Sequence, residues 1–211
     1  MARIERRTLW LLALLPALAA AATAKNDLNE VLRTKADAAR GAQLYAQCAA
    51  CHGADGNGEI SGSTPRIAGQ HYRVLAKQLL DFRAGKRWDF RMEGMADSHH
   101  LKGAQDIADV AVYITGLTRP ATRGLGSGEF AAEGAGLFAA RCQSCHGAKA
   151  EGDSARGVPR LAGQHYAYLM RQMYDAVDGR RPALPRLHSQ RIAPLDFQQV
   201  RAVADFLARI E

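Results

Sequence analysis

The chain has 211 residues, of which 47% are hydrophobic and 23% charged, and a formal net charge of +7. Its basic residues are scattered along the sequence, so the composition gives no indication of a protein that binds nucleic acid. A modest positive charge suits acidic protein surfaces, or peripheral association with anionic lipid headgroups, and it equally serves simple solubility.

Residues 1–24 are typical of a secretory signal peptide. Three arginines precede an apolar run from Leu9 to Ala20, and a small-residue cleavage site ends at Ala24. The apolar run is short for a membrane span, which needs roughly 20 residues. We therefore expect cleavage after Ala24 and export to the periplasm, with an uncleaved membrane anchor as the alternative. Because the signal carries three arginines and one glutamate, the mature chain would have a net charge of +5.

The first Cys-x-x-Cys-His motif consists of Cys48, Cys51 and His52. This pattern is the attachment signature of c-type haem, in which each thiol bonds one vinyl group and the histidine supplies an axial nitrogen to the iron. The motif lies in a predicted domain over residues 37–118. Residues 25–36, which precede it, are expected to form a loosely held leader.

Helical periodicity dominates the rest of this domain. A middle helix is predicted from near His71, and the last helix carries an apolar stripe with helical spacing from Ile107 to Ile114. No segment alternates convincingly with a period of two, so the predicted fold class is all-α. Residues 119–128 are rich in glycine and proline and are predicted to be a linker to a second domain over residues 129–211.

The second domain repeats the first. Cys142, Cys145 and His146 form another Cys-x-x-Cys-His motif. A Pro-Arg-(Ile/Leu)-Ala-Gly-Gln-His-Tyr segment follows each motif, beginning at Pro65 and at Pro159. Motifs and segments both recur after 94 residues, which indicates a duplicated domain.

All four cysteines of the chain belong to the two motifs. A zinc site or a redox dithiol would use the same cysteines, but it would leave the histidine after each pair unexplained. The sequence therefore predicts two covalently bound haem c groups.

Both motifs, both proline segments and the final helix that contains Tyr113 make the chain resemble the dihaem cytochromes c of the cytochrome c4 type, within the class I cytochrome c fold. The resemblance covers nearly all of the mature chain. It implies two tandem class I cytochrome c domains, each wrapped around a covalently attached haem. It also implies that the first helix of each domain packs on the last, through Gly41 and Tyr45 in one domain and Gly134 and Phe138 in the other.

The resemblance further implies how each proximal histidine is held. The carbonyl oxygen of Pro65 would accept the Nδ1–H of His52, and that of Pro159 would do the same for His146. Such a bond fixes the orientation of the ligand and raises its basicity.

The distal ligand of the family is a methionine, which raises the haem potential. The first domain offers Met92 and Met95 in a Met-x-Gly-Met stretch. The order of the motif points to Met92, which is our expectation, whereas the distance to the last helix points to Met95. A histidine ligand from His99 or His100 is a third possibility.

The second domain departs from this pattern, because no methionine follows Met173. His188 stands 18 residues before Phe206 of the last helix, the interval at which Met95 precedes the equivalent aromatic residue. We therefore expect His188 to be the sixth ligand of the second haem. The alternative is an exposed loop histidine, with the iron open or bound by Met173.

Polar residues of the repeated segment are expected near the haem groups without binding iron. His71 and His165 are expected to cap the middle helices or to bond a propionate. Arg66 and Arg160 would neutralise propionates or remain solvated. Further candidates for hydrogen bonds at the haem edge are Gln70, Tyr72, Gln164 and Tyr166.

These features predict an exported electron carrier rather than an enzyme. A His/Met first haem and a His/His second haem would differ in potential, so electrons would enter at the second domain and leave from the first. Expected partners are redox proteins such as a dehydrogenase, a quinol-oxidising complex or a terminal oxidase, in free association or as parts of one complex. The alternative is a small dihaem enzyme that acts on an inorganic sulfur species or peroxide at an open iron.

Overall fold

The computed structural model describes residues 27–211, so the signal peptide predicted for residues 1–24 lies outside the described residues. Between residues 27 and 211 the chain contains helices and no strand, apart from an isolated β-bridge between Asp153 and Val158. The all-α class is therefore confirmed. No helix in this part of the chain is long and apolar enough to cross a membrane.

The two domains share one order of helices. In the first domain they are α1 (Ala38–His52), α2 (Tyr72–Arg83), α3 (Phe90–Met95) and α4 (Ala104–Gly116). In the second they are α5 (Ala131–Arg141), α6 (Gln143–His146), α7 (Tyr166–Val177), α8 (Arg186–Ile192) and α9 (Phe197–Arg209). Aspartate carboxylates accept backbone N–H groups at the start of α1, α3 and α9 and so stabilise these helix ends.

The first and last helices of each domain cross at a glycine. A Cβ atom on Gly41 would lie 2.0 Å from the carbonyl oxygen of Asp109 in α4. A Cβ atom on Gly134 would lie 2.0 Å from the carbonyl oxygen of Ala202 in α9. Only glycine permits so close an approach, and the packing expected at these two residues is confirmed.

Aromatic pairs stand beside both crossings. The rings of Tyr45 and Tyr113 have centroids 5.2 Å apart, and those of Phe138 and Phe206 are 5.6 Å apart. Tilted pairs at this distance are favourable. Together with the glycines they hold each Cys-x-x-Cys-His segment against the last helix of its domain.

The helix that carries the motif is continuous in the first domain and broken in the second. Cys48 stands three residues after Tyr45, but Cys142 stands four residues after Phe138. One extra residue would turn the motif by about 100° around the helix axis. The chain compensates by ending α5 and restarting as α6, with Cys142 between them.

Residues 27–33 form a helix packed on the first domain, so the expectation of a loosely held leader is wrong. Val31 is fully buried, and Leu28 packs against the same apolar core. The hydroxyl of Tyr72 donates to the carbonyl oxygen of Val31 at 2.9 Å. Full burial of such a side chain contributes about 1.5–3 kcal/mol, which helps to hold this short helix against the first domain.

The two domains meet through contacts that recur with the domains exchanged. The side-chain amide of Gln164 donates to the carbonyl oxygen of Arg66 at 2.7 Å and accepts the backbone N–H of Arg66 at 2.9 Å. Gln70 makes the same two bonds with Arg160, at 2.9 and 3.0 Å. The repeated segment thus pairs with its own copy about a pseudo-twofold axis.

The histidines of the repeated segment also cross the interface. The Nε2–H of His71 donates to the carbonyl oxygen of Glu151 at 2.8 Å. The Nε2–H of His165 donates to the carbonyl oxygen of Asn57 at 2.7 Å, while its Nδ1 accepts the N–H of Gly124 in the linker. Neither side chain caps its helix, so the expected capping role is wrong and the histidines join the domains instead.

A third pair of contacts follows the same symmetry. Arg87 donates to the side-chain oxygen of Gln172 in the second domain at 2.6 Å. Arg181 donates to the equivalent Gln78 in the first domain at 3.2 Å. These contacts bring the distal loops of the two domains side by side.

Candidate functional site

The first motif ends α1 and gives its side chains different environments. Cys48 is half-buried and Cys51 exposed, and His52 is buried. Burial raises the pKa of the Cys48 thiol to about 11. Reactive cysteines have lowered pKa values instead, so this environment argues against a redox dithiol.

His52 is oriented by a backbone carbonyl group. Its Nδ1–H donates to the carbonyl oxygen of Pro65 at 3.0 Å. Burial lowers the pKa of the imidazole, so the ring is neutral at pH 7 and its Nε2 keeps a lone pair. This is the usual arrangement of a histidine prepared to bind a metal.

A cavity of about 330 Å³ lies beside His52. Cofactor sites commonly measure roughly 300–1,000 Å³. Cys48, Cys51 and His52 form one part of its lining, and Met92 and Met95 form another. Apolar side chains contribute much of the rest, among them Val74, Leu75, Leu79, Phe82, Leu101 and Val110, and polar side chains of both domains, such as Arg87 and Arg181, also line it.

Both candidate methionines of the first domain are available to this cavity. Met92 and Met95 are half-buried and lie one turn apart on α3. The carboxylate of Asp89 accepts the N–H of Met92 at 3.3 Å and so secures the start of the helix. His99 and His100 are exposed and do not contribute to the lining.

The second motif repeats the proximal arrangement despite the broken helix. Cys142 is half-buried, Cys145 exposed and His146 buried. The Nδ1–H of His146 donates to the carbonyl oxygen of Pro159 at 3.0 Å, the same distance as in the first domain. Burial lowers the pKa of His146 and raises that of the Cys142 thiol.

On the distal side of the second domain, α8 places His188 opposite His146. The ring centroids are 6.3 Å apart and the ring planes lie at 62°. Two imidazoles on opposite sides of one metal at bond lengths of about 2.0 Å have centroids roughly 6.3 Å apart, so the separation of these two rings is compatible with a shared metal ion.

His188 is also chemically suited to bind a metal. Burial, with repulsion from His146 and Arg181, lowers its pKa to about 4. Its Nδ1 is buried and has no hydrogen-bond partner anywhere in residues 27–211. The imidazole of His188 is therefore a neutral base, and one of its two ring nitrogens is buried without a hydrogen-bond partner.

Three arginines meet at the domain interface beside the first cavity. Arg66, Arg119 and Arg160 line a small pocket without any carboxylate, and Arg66 and Arg160 also line the larger cavity. Burial, together with the neighbouring cations, lowers the pKa of Arg119 to about 10. Arg119 was missed by sequence analysis, because its only signal is a single cation within a linker.

Arg66 and Arg160 occupy equivalent positions but differ in their bonding. The guanidinium of Arg66 is buried and donates to three neutral oxygens at 2.6–2.8 Å, so the alternative of a solvated arginine is wrong for this residue, while its role as a partner of a propionate stays a prediction. The Nε of Arg160 is buried without a hydrogen-bond partner in the described part of the chain. A negatively charged group at this point would satisfy it.

The residues present suit covalently bound haem in both domains. Each site combines two thiols, a proximal imidazole held by a carbonyl oxygen, and a sulfur or imidazole group on the distal side. The fold and the two sites together define a c-type cytochrome with two haem groups.

Comparison with known proteins gives the same class. A family model described as cytochrome c matches residues 38–118 and 131–211. Cytochrome c4 of Pseudomonas aeruginosa is 34% identical over 162 residues, which are 73% of this chain and 78% of the relative. The thiosulfate dehydrogenase electron acceptor of Stutzerimonas stutzeri is 32% identical over 200 residues, 85% of this chain and 90% of the relative. The crystal structure of reduced recombinant cytochrome c4 from Pseudomonas stutzeri matches with a TM-score of 0.74 and 30% identity, covering 83% of this chain and 100% of that chain.

The chain therefore belongs to the cytochrome c4 family. It has two tandem cytochrome c domains and two covalently bound haem c groups, which confirms the expected fold and cofactors. At this level it is a dihaem protein of the electron-carrier type.

Proposed function

We propose that this protein is an exported electron carrier that receives electrons at the second haem and releases them from the first. The axial ligands would be His52 and Met92 in the first domain, and His146 and His188 in the second. Bound haem supplies the one-electron chemistry by alternation of its iron between Fe(III) and Fe(II). Export is supported by the composition of the N-terminus and by covalent haem attachment, which in bacteria takes place outside the cytoplasm.

The observation that carries this proposal is the 6.3 Å separation of the His146 and His188 rings. The unsatisfied Nδ1 of His188 carries a cost of about 1–3 kcal/mol, which a bond from this nitrogen to the iron would offset. Its lowered pKa keeps the imidazole neutral and ready to donate its lone pair. A surface histidine with no ligand role would instead have both ring nitrogens open to water, whereas the Nδ1 of His188 is buried.

The two ligand sets give electron transfer between the domains a preferred direction. A methionine ligand raises the potential of a haem relative to a second histidine. The second domain would therefore hold the lower-potential centre, and electrons would move from it to the first domain. The shared interface, with its reciprocal glutamine and histidine bonds, would fix the distance that they cross.

Arg160 would strengthen this direction by binding a propionate of the first haem across the interface. It is supported in this role because it lines the first cavity and has a buried Nε without a partner. A cation beside the haem favours the reduced iron, so Arg160 would raise the potential of the first haem further.

The donor that we propose is an enzyme that oxidises an inorganic sulfur compound. This rests on the relative from Stutzerimonas stutzeri that is named as the electron acceptor of thiosulfate dehydrogenase. A protein in that position receives electrons from an enzyme and is not itself the catalyst. Catalysis by this chain would need an open or labile iron, which ligation by His188 would prevent.

Low-temperature magnetic circular dichroism of the oxidised holoprotein tests the ligands. The expected spectrum contains one His/Met and one His/His signal. His188→Met should convert the second signal to His/Met and raise the potential of that haem in a redox titration. The control His99→Gln changes an exposed histidine outside the cavity and should leave both signals and both potentials as in the wild type.

Two outcomes would contradict the assignment. One is a wild-type spectrum with two His/Met signals, and the other is an unchanged second signal in His188→Met. Rapid binding of carbon monoxide by the reduced wild-type protein would show a labile iron and would favour the enzyme alternative.

A further inference from the structure

We infer that the exposed edge of the second haem is the docking site of an acidic redox protein, which would be held by Arg141, Arg186 and Arg191 around Leu187. This inference rests on the proposed carrier function and adds the chemistry of the partner and the place where it binds.

The cysteines of the second motif show where this edge reaches solvent. Cys145 is exposed and Cys142 half-buried. Arg141 directly precedes Cys142, and its Nη1 donates to the carbonyl oxygen of Arg191 in α8 at 3.4 Å. Burial raises the pKa of the Cys142 thiol, and the charges of Arg141 and Arg191 oppose that rise. Both cations therefore lie close to this sulfur.

The outer face of α8 continues the cationic surface. Arg186, Leu187 and Arg191 are all exposed, and Leu187 has 58% of its surface open to solvent. The same helix carries His188 towards His146, so this face covers the distal side of the second haem site. Residues 179–195 contain no acidic side chain.

The cations of this surface are not neutralised within the molecule. None of Arg141, Arg186 and Arg191 forms an ion pair with any residue from 27 to 211. Elsewhere in the same domain, the exposed Arg156 is paired with Asp153 at 2.6 Å. The three arginines are thus free to attract carboxylates from outside.

The first domain provides an internal comparison, because its haem edge is built from the same elements without this charge. Gln47 precedes its first cysteine, where the second domain has an arginine. In α3, Arg91 lies 3.6 Å from the carboxylate of Asp89, and Glu93 follows on the same helix. Acidic and basic groups are therefore paired on α3 of the first domain, whereas the exposed arginines on α8 of the second domain have no such partner.

An exposed apolar side chain surrounded by unpaired cations suits a transient protein contact. The charges accelerate encounter with a surface of opposite sign, and the apolar centre lets the two proteins approach closely once they meet. A redox protein has to bring its own centre near the haem edge, so a partner with carboxylates around that centre fits this surface. An anionic lipid surface offers the same charge but would cover the edge without exchanging electrons.

Stopped-flow reduction of the oxidised holoprotein tests the inference. The reductant is the soluble haem domain of cytochrome b5, used as an acidic redox probe over a range of ionic strength. Arg186→Gln/Arg191→Gln should react about tenfold more slowly than the wild type at low salt and should lose most of its salt dependence. Arg186→Lys/Arg191→Lys keeps both charges and should retain wild-type rates.

The matched control is Arg33→Gln/Lys35→Gln, which removes two exposed cations from the first domain. Its rate should stay within about twofold of the wild type, in line with weak, screened effects of distant charges. Equal slowing of both neutralised variants would show that only net charge matters and would overturn the docking site. A wild-type reaction without salt dependence would overturn it as well.

Photoreduced lumiflavin, which is uncharged, separates this inference from the carrier function. All variants should react with it at the wild-type rate. If lumiflavin reduces the protein reversibly while the rates with cytochrome b5 fail the expected pattern, the docking site is rejected and the carrier function stands. If neither reagent drives reversible cycling, both are rejected. Should anionic phospholipid vesicles bind the wild type but not Arg186→Gln/Arg191→Gln, with unchanged rates towards cytochrome b5, the surface belongs to lipid and the inference fails.

Discussion

At the scale of single residues, the duplicated positions Arg66 and Arg160 show how one residue type acquires two roles. Arg66 donates from all three guanidinium nitrogens to neutral oxygens at the interface. Arg160 keeps a buried Nε without a partner next to the first cavity. The difference arises from surroundings that the sequence does not encode locally, because both arginines stand in the same repeated segment.

Arg160→Gln should lower the potential of the first haem by about 50 mV, close to the 59 mV that corresponds to tenfold in a one-electron equilibrium. The reason is the loss of a cation that favours the reduced iron. A spectroelectrochemical titration measures the change, and Arg160→Lys should recover most of it. The exposed Arg33→Gln serves as control and should leave the potential unchanged. An equal fall at both haems would contradict a specific contact with the first.

At the scale of secondary structure, the crossing of the first and last helices decides whether each motif reaches its place. Gly134→Ala should destabilise the protein by about 1–3 kcal/mol, because its Cβ would overlap the carbonyl oxygen of Ala202. Gly136 lies on the same helix with nothing within 4 Å of its Cβ position. Gly136→Ala should therefore stabilise the protein, by up to about 1 kcal/mol. Denaturant unfolding followed by circular dichroism measures both changes, and the same sign for both would contradict the crossing.

The elements were predictable to the extent that their pattern is local. Apolar spacing in α4 and α9 identified the last helices, and the glycines identified the crossings. The break at Cys142 was not predicted, because a single extra residue changes only the phase between two segments that each look helical. The helix over residues 27–33 was missed because it is short and gains its stability from burial of Val31 in a distant core.

At the scale of the whole molecule, the domains are coupled by buried polar contacts. Gln164→Ala removes three hydrogen bonds, one of them from the backbone N–H of His165, and leaves the backbone of the buried Arg66 unsatisfied, at a cost of about 2–4 kcal/mol. We expect the wild type to unfold in one transition, followed by haem absorbance, and Gln164→Ala to unfold in two. Gln198→Ala alters an exposed glutamine of α9 and should leave the curve unchanged. A sharp single transition for Gln164→Ala at the wild-type midpoint would show that the hydrogen bonds of Gln164 contribute little to the coupling of the domains.

The sequence predicted the two haem sites far better than it predicted this interface. A haem motif can be recognised from its residue types, because only thiols and imidazoles perform its chemistry. The interface histidines bond to the backbone carbonyl oxygens of Asn57 and Glu151. Every residue has a backbone carbonyl oxygen, so such a partner cannot be recognised from the residue type. For the same reason Gln70 and Gln164 were expected at the haem edge, although their amides bond the neighbouring domain.

The interface between the two domains has exchange symmetry, and it requires little affinity to stay closed. Between separate subunits, such a contact would be called isologous, since one patch binds its own copy. Here the linker of residues 119–128 keeps the two copies together, and a short tether of this kind provides an effective concentration of about millimolar. A small polar contact is then sufficient to stay closed, even when the protein is diluted to a single molecule. The distance between the two metal centres is therefore independent of concentration, which no reversible pair of one-haem carriers achieves.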